Sequence, residues 1–330
     1  MKAYHPSPAF LMSVLLAAFT AACAEFDVCA PPAANVASLP ARLSETGLRQ
    51  ADGGLAPGVV AFTPAFALWS DGAEKHRYLR LPDGQQIDTS AVDDWRFPVG
   101  TRFWKEFIRD GVPVETRLLV KTGPADHEWA AGAYVFDDGG VDATFAEAGA
   151  VDVRGTAHDA PAASLCLGCH GGRSSFVLGF SALQLGNVAP GGFDLAAAAD
   201  AGMLSTAIGP MRVPGTDDQR AALGYLHANC SHCHNTQRPM TMGPRCFDPQ
   251  NELDMFLRAD ELGDVAATGP YRTLFTNAVR KGDPANSTLF QLVSRRQPKG
   301  AFGPQQMPPL ATDVVDEAAV ETLRRWIQAP

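Results

Sequence analysis

Between residues 59 and 155 apolar positions alternate with polar ones over short runs rich in β-branched and aromatic side chains. On this pattern residues 101–108, 114–121 and 133–136 read as strands. Asp137-Asp138-Gly139-Gly140 stands between Tyr134-Val135-Phe136 and a further run at 141–145, which is a hairpin signal. Pro82-Asp83-Gly84 and Asp110-Gly111 mark other turns, so this stretch predicts a small antiparallel sheet or sandwich. Past residue 160 the spacing changes to three and four. Residues 193–207 are Ala-rich and predict a helix weakened at Asp200 and Gly202. Thr216-Asp217-Asp218 caps a predicted helix over 219–228 that carries Ala222, Leu223, Tyr225 and Leu226. Near the end, Val320, Leu323, Trp326 and Ile327 share one helical face, with Thr312-Asp313 or Asp316 as its start. The expected fold class is α+β, an N-terminal antiparallel β-rich domain at 59–160 followed by a mainly helical region at 161–330.

Residues 25–58 are rich in Ala, Pro and Gly and read as a tether, with one short helix near 39–47. Before them, Lys2, an apolar run at 9–19 and Thr20-Ala21-Ala22 have the form of an export signal over residues 1–24. The run is too short for a permanent membrane span. Cleavage near Ala22 or Ala24 would release a soluble protein. Small residues directly before Cys23 equally fit lipoprotein processing, with Cys23 as the lipid-bearing first residue and a membrane association through that anchor.

Composition narrows the picture further. A hydrophobic content of 46% and a charged content of 19% are ordinary for a folded protein. The formal charge of −9, with no Lys/Arg run, argues against a nucleic-acid partner and suits a basic redox protein instead. Seven cysteines behind an export signal would ordinarily suggest disulfides. Four of them, however, fall in two Cys-x-x-Cys-His units, Cys166-Leu167-Gly168-Cys169-His170 and Cys230-Ser231-His232-Cys233-His234.

That spacing is what covalent attachment of haem c requires: two thiols add to the two vinyl groups on one macrocycle edge, and the adjacent His becomes the proximal iron ligand. Two copies imply two covalently bound haem c groups, with iron ligated by His170 and His234. A single Zn²⁺ held by all four thiols is the competing reading, but the pairs lie about 60 residues apart and the histidines would go unexplained. Two local disulfides or redox pairs meet the same objection. With Cys23 lipidated, Cys29 and Cys246 remain as a candidate disulfide. For the second haem the expected sixth ligand is Met307, in Gln306-Met307-Pro308-Pro309, against Met240 and Met242. For the first it is His158, in the loop before Cys166, with His76, His127, His227, Met203, Met211 or an open iron as alternatives. Arg295-Arg296 and Arg324-Arg325 are candidates to neutralise haem carboxylates or plain surface cations. The segment from Trp69 to His76 reads as a haem-edge or docking loop, or as a structural turn.

Several segments carry a family resemblance: Leu43-Ser44-Glu45-Thr46-Gly47-Leu48, the run from Leu68 to Arg77, Glu115-Thr116-Arg117-Leu118-Leu119, the run from Val177 to Leu185, and Tyr225-Leu226-His227-Ala228-Asn229-Cys230. In these the chain resembles a poorly characterised family of bacterial two-haem c-type cytochromes. Residues 217–330 also resemble a class I cytochrome c domain, which implies a helix before Cys230, proximal His234, distal Met307 and a C-terminal helix packed on the first. Residues 235–248 depart from that pattern by carrying Cys246. The resemblance implies a first haem segment at 161–216, a cytochrome c-like domain at 217–330, and electron transfer in the periplasm or cell envelope. A carrier is thus expected more than a substrate-converting enzyme. The alternatives are a di-haem peroxidase-like oxidoreductase with an open first haem, and a haem-bearing subunit that docks a partner enzyme.

Overall fold

The computed structural model describes residues 36–239, 248, 250–297, 306–309 and 312–330. The export segment, Cys23, Cys29, Met240, Met242 and Cys246 lie outside the described residues.

Six strands form one antiparallel meander in sequence order: β1 (Val60–Phe62), β2 (Glu74–Arg80), β3 (Arg102–Arg109), β4 (Val112–Lys121), β5 (Trp129–Phe136) and β6 (Ala143–Phe145). Asp110 and Gly111 turn β3 into β4, both with positive φ, the conformation that matches strand twist in a two-residue hairpin. Neighbouring side chains point to opposite faces, so the register sorts the residues into ladders. On one face Leu79, Phe103, Leu119 and Ala131 pair across β2 to β5. Two residues along, that same face carries Arg77, Lys105, Arg117 and Ala133, and then Lys75, Phe107, Glu115 and Val135. The other face presents Tyr78, Trp104 and Leu118, covered by Leu43 and Leu48. Residues 36–58, expected as part of a tether, are therefore packed on the sheet, because Leu43 and Leu48 bury apolar surface worth about 1.5–3 kcal/mol each.

Seven helices follow among the described residues: α1 (Cys166–His170), α2 (Ala182–Gly186), α3 (Leu195–Asp200), α4 (Asp217–Asn229), α5 (Gly269–Asn277), α6 (Thr288–Val293) and α7 (Glu317–Gln328). The mixed α+β class is as the pattern predicts. In α4 the Thr216 hydroxyl accepts from the Gln219 amide while the Gln219 side chain returns to the Thr216 amide, a full capping box. Helix α7 starts at Asp316, whose carboxylate caps the Ala319 amide, and buries Leu323, Trp326 and Ile327. Trp326 meets the Phe275 ring edge-on at 5.0 Å. The Ala-rich helix is shorter than expected, ending at Asp200, since Gly202 takes a left-handed conformation directly after it.

One hydrophobic cluster runs from Phe62, Leu79, Phe103 and Leu119 on the sheet through Leu167 and Phe180 to Leu223 and Trp326. The segment 69–71 clips the C-terminal part to this body. Trp69 donates from Nε1 to the Val314 carbonyl at 2.9 Å, and the Asp71 carboxylate accepts from Thr312, Asp313 and Val314. Trp69, Ser70 and Asp71 also line the cavity that holds Cys166, so the loop has both a structural contact and a place at the cavity edge. Among the described residues no helix is long and apolar enough to cross a membrane.

Candidate cofactor site

Helix α1 is only the Cys-x-x-Cys-His unit itself. Helical spacing of three and four places Cys166, Cys169 and His170 along one side. His170 points its Nδ1 at the Phe176 carbonyl, 2.8 Å away. Donating that N–H fixes the tautomer and leaves Nε2 as the lone-pair nitrogen, the arrangement found behind most metal-bound imidazoles. Phe176 holds φ at 60°, a left-handed conformation uncommon for an aromatic residue, and its ring stacks on Trp129 of β5 at 5.8 Å. The sheet thus props the carbonyl that orients His170. Burial pushes the His170 imidazole down to about 4, so it is neutral and able to ligate near pH 7.

The second unit continues the C-terminal end of α4. The Cys230 amide donates to Leu226 O, and the Cys233 and His234 amides both return to Cys230 O. His234 is buried with its Nδ1 lacking a hydrogen-bond partner among the described residues; Asn251 lies beside it without a well-formed bond. Burial lowers this imidazole to about 4 as well. It also raises the four thiols, Cys166 and Cys233 to about 11, Cys230 to about 12, and Cys169 in the same direction. All four are unpaired.

The two units touch. Arg238 donates to the His232 carbonyl at 2.6 Å and to the Gly168 carbonyl at 2.7 Å, binding one motif to the other. Asn235 donates to Gly172 O and Ser231 O. Gly172 is obligatory here, since a Cβ would lie 1.9 Å from the His232 carbonyl oxygen. No three His, Cys, Asp or Glu side chains converge as a metal site among the described residues.

Cys166, Cys169 and His170 line a cavity of about 780 Å³, within the ~300–1,000 Å³ typical of cofactor pockets. Phe62, Phe103 and Leu119 supply apolar wall, and Arg77, Lys105 and Arg117 supply charge. His158 lines the same cavity. Its Nε2, however, is 2.7 Å from Glu115 Oε2, and Glu115 is fully buried and held twice more by Arg117, at 2.6 and 3.0 Å. Only Nδ1 of His158 remains for any other partner. Sequence reasoning did not find Glu115 or the cations, which reach the site through strand register.

The other candidate ligands are dispersed. His76 sits on the far sheet face, 3.0 Å from Glu74; His127 is exposed; His227 accepts the Leu257 amide on Nδ1 at 3.2 Å. Met203 and Met211 are buried in the main cluster. Met307 is part-buried against that cluster, and its amide donates to Leu292 O at 2.9 Å. The Gln306 side chain ties its loop to the Gln297 amide and to Pro308 O and Thr312 O. Arg324 and Arg325 pair with Glu321 and Asp218 on the exposed side of α7, and Arg296 donates to backbone carbonyls of its own neighbourhood.

Two reduced, unpaired thiols beside an oriented neutral imidazole and a largely apolar cavity are a donor set that fits haem c. Comparison of this chain with protein-family models, with curated proteins and with solved structures finds no match.

Proposed function

We propose that this chain is an exported two-haem c-type cytochrome that transfers electrons in the bacterial cell envelope, with a class I-like second haem region. The observation that supports it most is the pairing of two Cys-x-x-Cys-His turns, with all thiols free and His170 fixed through Nδ1 on Phe176 O. Bound haem supplies one-electron iron chemistry. Cys166 and Cys169 would hold one group and Cys230 and Cys233 the other, with His170 and His234 as proximal ligands. Phe62, Phe103 and Leu119 would exclude water from the first. Met307, on its Pro-bounded loop, would offer a thioether to the second. The export segment and Cys23 carry the envelope location and a lipid anchor as parts of the same proposal, and Cys29–Cys246 as its disulfide.

Mass spectrometry of protein matured in a periplasm with a haem-attachment system tests the core of this reading. The expected mass is the processed chain plus two haems, falling by one in Cys166→Ala/Cys169→Ala. A chain bearing no covalent haem would refute it.

A second reading, an enzyme with an open first iron, is favoured by one observation: the commitment of His158 Nε2 to Glu115. A carrier closed by His158 must ligate through Nδ1 or release Glu115. Electron paramagnetic resonance separates the two, with two low-spin ferric signals for the carrier and one high-spin signal, with peroxide turnover, for the enzyme.

A further inference from the structure

The ladder Arg77–Lys105–Arg117 places three cations directly opposite one another on adjacent strands, all facing the cavity. Like charges in cross-strand register repel, and the burial of Arg77 and partial burial of Lys105 and Arg117 withdraw part of the water that would screen them. The only carboxylate in the neighbouring rows of that face is Glu115, which already takes both arms of Arg117 and His158. Arg77 makes one long bond, to Lys75 O at 3.4 Å. The Lys105 ammonium, part-buried in the cavity wall, lies 4.9 Å over the Phe107 ring and has no hydrogen bond or ion pair among the described residues. Burial first, then Arg77 and Arg117, depress Lys105 well below the ordinary lysine range, and burial lowers Arg77 to about 10. An apolar ladder of similar volume would avoid these costs. The arrangement concentrates positive charge that an anion would neutralise.

We propose that Arg77, Lys105 and Arg117 form an oxyanion site in the wall of the cavity beside Cys166 and Cys169. The oxyanion has two possible sources: a carboxylate arm of a haem bonded at those cysteines, or a free small oxyanion admitted to the cavity. The site stands on the ladder geometry and goes beyond the cytochrome reading.

Sulfate is the probe. Melting temperature is measured on the full-length purified protein in millimolar sulfate against chloride at equal ionic strength, for wild type, Cys166→Ala/Cys169→Ala, Lys105→Met and Lys105→Arg. A free-oxyanion site gives a sulfate-dependent rise in wild type that Lys105→Met loses and Lys105→Arg keeps. A site filled by a haem carboxylate gives no rise in wild type but a rise in Cys166→Ala/Cys169→Ala, lost again when Lys105→Met is added. If neither background distinguishes sulfate from chloride, or if a sulfate rise persists unchanged with Lys105→Met, the ladder binds no oxyanion and the proposal is overturned. Should Lys105→Met fail to fold, the comparison of wild type with Cys166→Ala/Cys169→Ala decides alone: a rise in either supports the site, and none in both overturns it. Haem counted by mass in the same wild-type sample keeps the two readings apart. A sulfate response in a chain with no haem sustains this site while the cytochrome reading falls.

Discussion

Replacing Glu115 by Gln keeps the side-chain shape and removes the one carboxylate that Arg117 and His158 share. The carboxylate is completely buried and makes three short contacts, at 2.6, 3.0 and 2.7 Å. Removing one member of a buried ionic group costs about 3–5 kcal/mol, and because the Arg117 side chain is 31% exposed and partly hydrated the lower end, about 3 kcal/mol, applies. Melting should therefore fall by roughly 6–12 °C, taking about 2–4 °C per kcal/mol for a chain of this general size. Burial by itself would raise the Glu115 carboxyl, but the Arg117 guanidinium and then His158 outweigh it and hold it below the ordinary range. A carboxyl lowered on folding stabilises fully above its unfolded value of about 4.3, and that stabilisation is lost as pH falls through the folded value. The gap between wild type and Glu115→Gln should accordingly be widest at neutral pH and narrow below about pH 4.3. The double variant Glu115→Gln/Arg117→Met should melt higher than the sum of the single changes predicts, because the stranded charge is gone. Thermal melts monitored by circular dichroism at several pH values suffice. Additive single and double variants, or a gap that does not depend on pH, would refute the reasoning.

Gly172→Ala drives a methyl into the His232 carbonyl and should cost about 1–3 kcal/mol, seen as lower melting and reduced haem loading at both motifs. Trp69→Phe removes the bond to Val314 O while keeping an aromatic ring, a loss of about 1 kcal/mol expected to appear first as faster amide exchange at the start of α7. Met307→Ala should abolish the weak sulfur-to-iron absorption band of the oxidised protein; survival of the band assigns the thioether elsewhere. Cys23→Ser should move the protein from the membrane to the soluble periplasmic fraction, whereas wild type already soluble excludes the anchor.

Strands β3 and β4, the β5–β6 hairpin, α4 and α7 were legible because each follows the period or cap its element demands. Strand β2 was not. Its sequence, Glu74-Lys75-His76-Arg77-Tyr78-Leu79-Arg80, offers almost no apolar alternation, since one face supplies Arg77 to the cavity and the other sets His76 beside Glu106. A rule that equates inward with apolar misses such a strand. Helix α5 did leave a signal, Thr268 as cap followed by Pro270 in the first turn, though it is short and weakly amphipathic. At the site, the Cys-x-x-Cys-His spacing is local and therefore readable, while His158 lines the cavity with its Nε2 bonded to Glu115. The Glu115 partner lies 43 residues from His158, and the Arg238 bond to Gly168 spans 70. Contacts at that range depend on register and packing, which no local window contains.

Net charge is equally silent about the interior. A chain with a formal charge of −9 would be expected to surround a buried cofactor with negative potential. The register does the reverse, setting Lys75, Arg77, Lys105 and Arg117 along one sheet face while the excess acid lies largely at the surface. Surface charges are screened by water and salt, whereas these four, buried or part-buried, are screened less. On the proposed reading, the ladder and whatever anion it holds would therefore set the potential of the first haem more than the overall charge does. The acidic exterior would be left to choose the partner. The two roles are separable by salt: association with a basic partner should weaken as ionic strength rises, while the first haem's potential should respond to Lys105→Met and scarcely to salt.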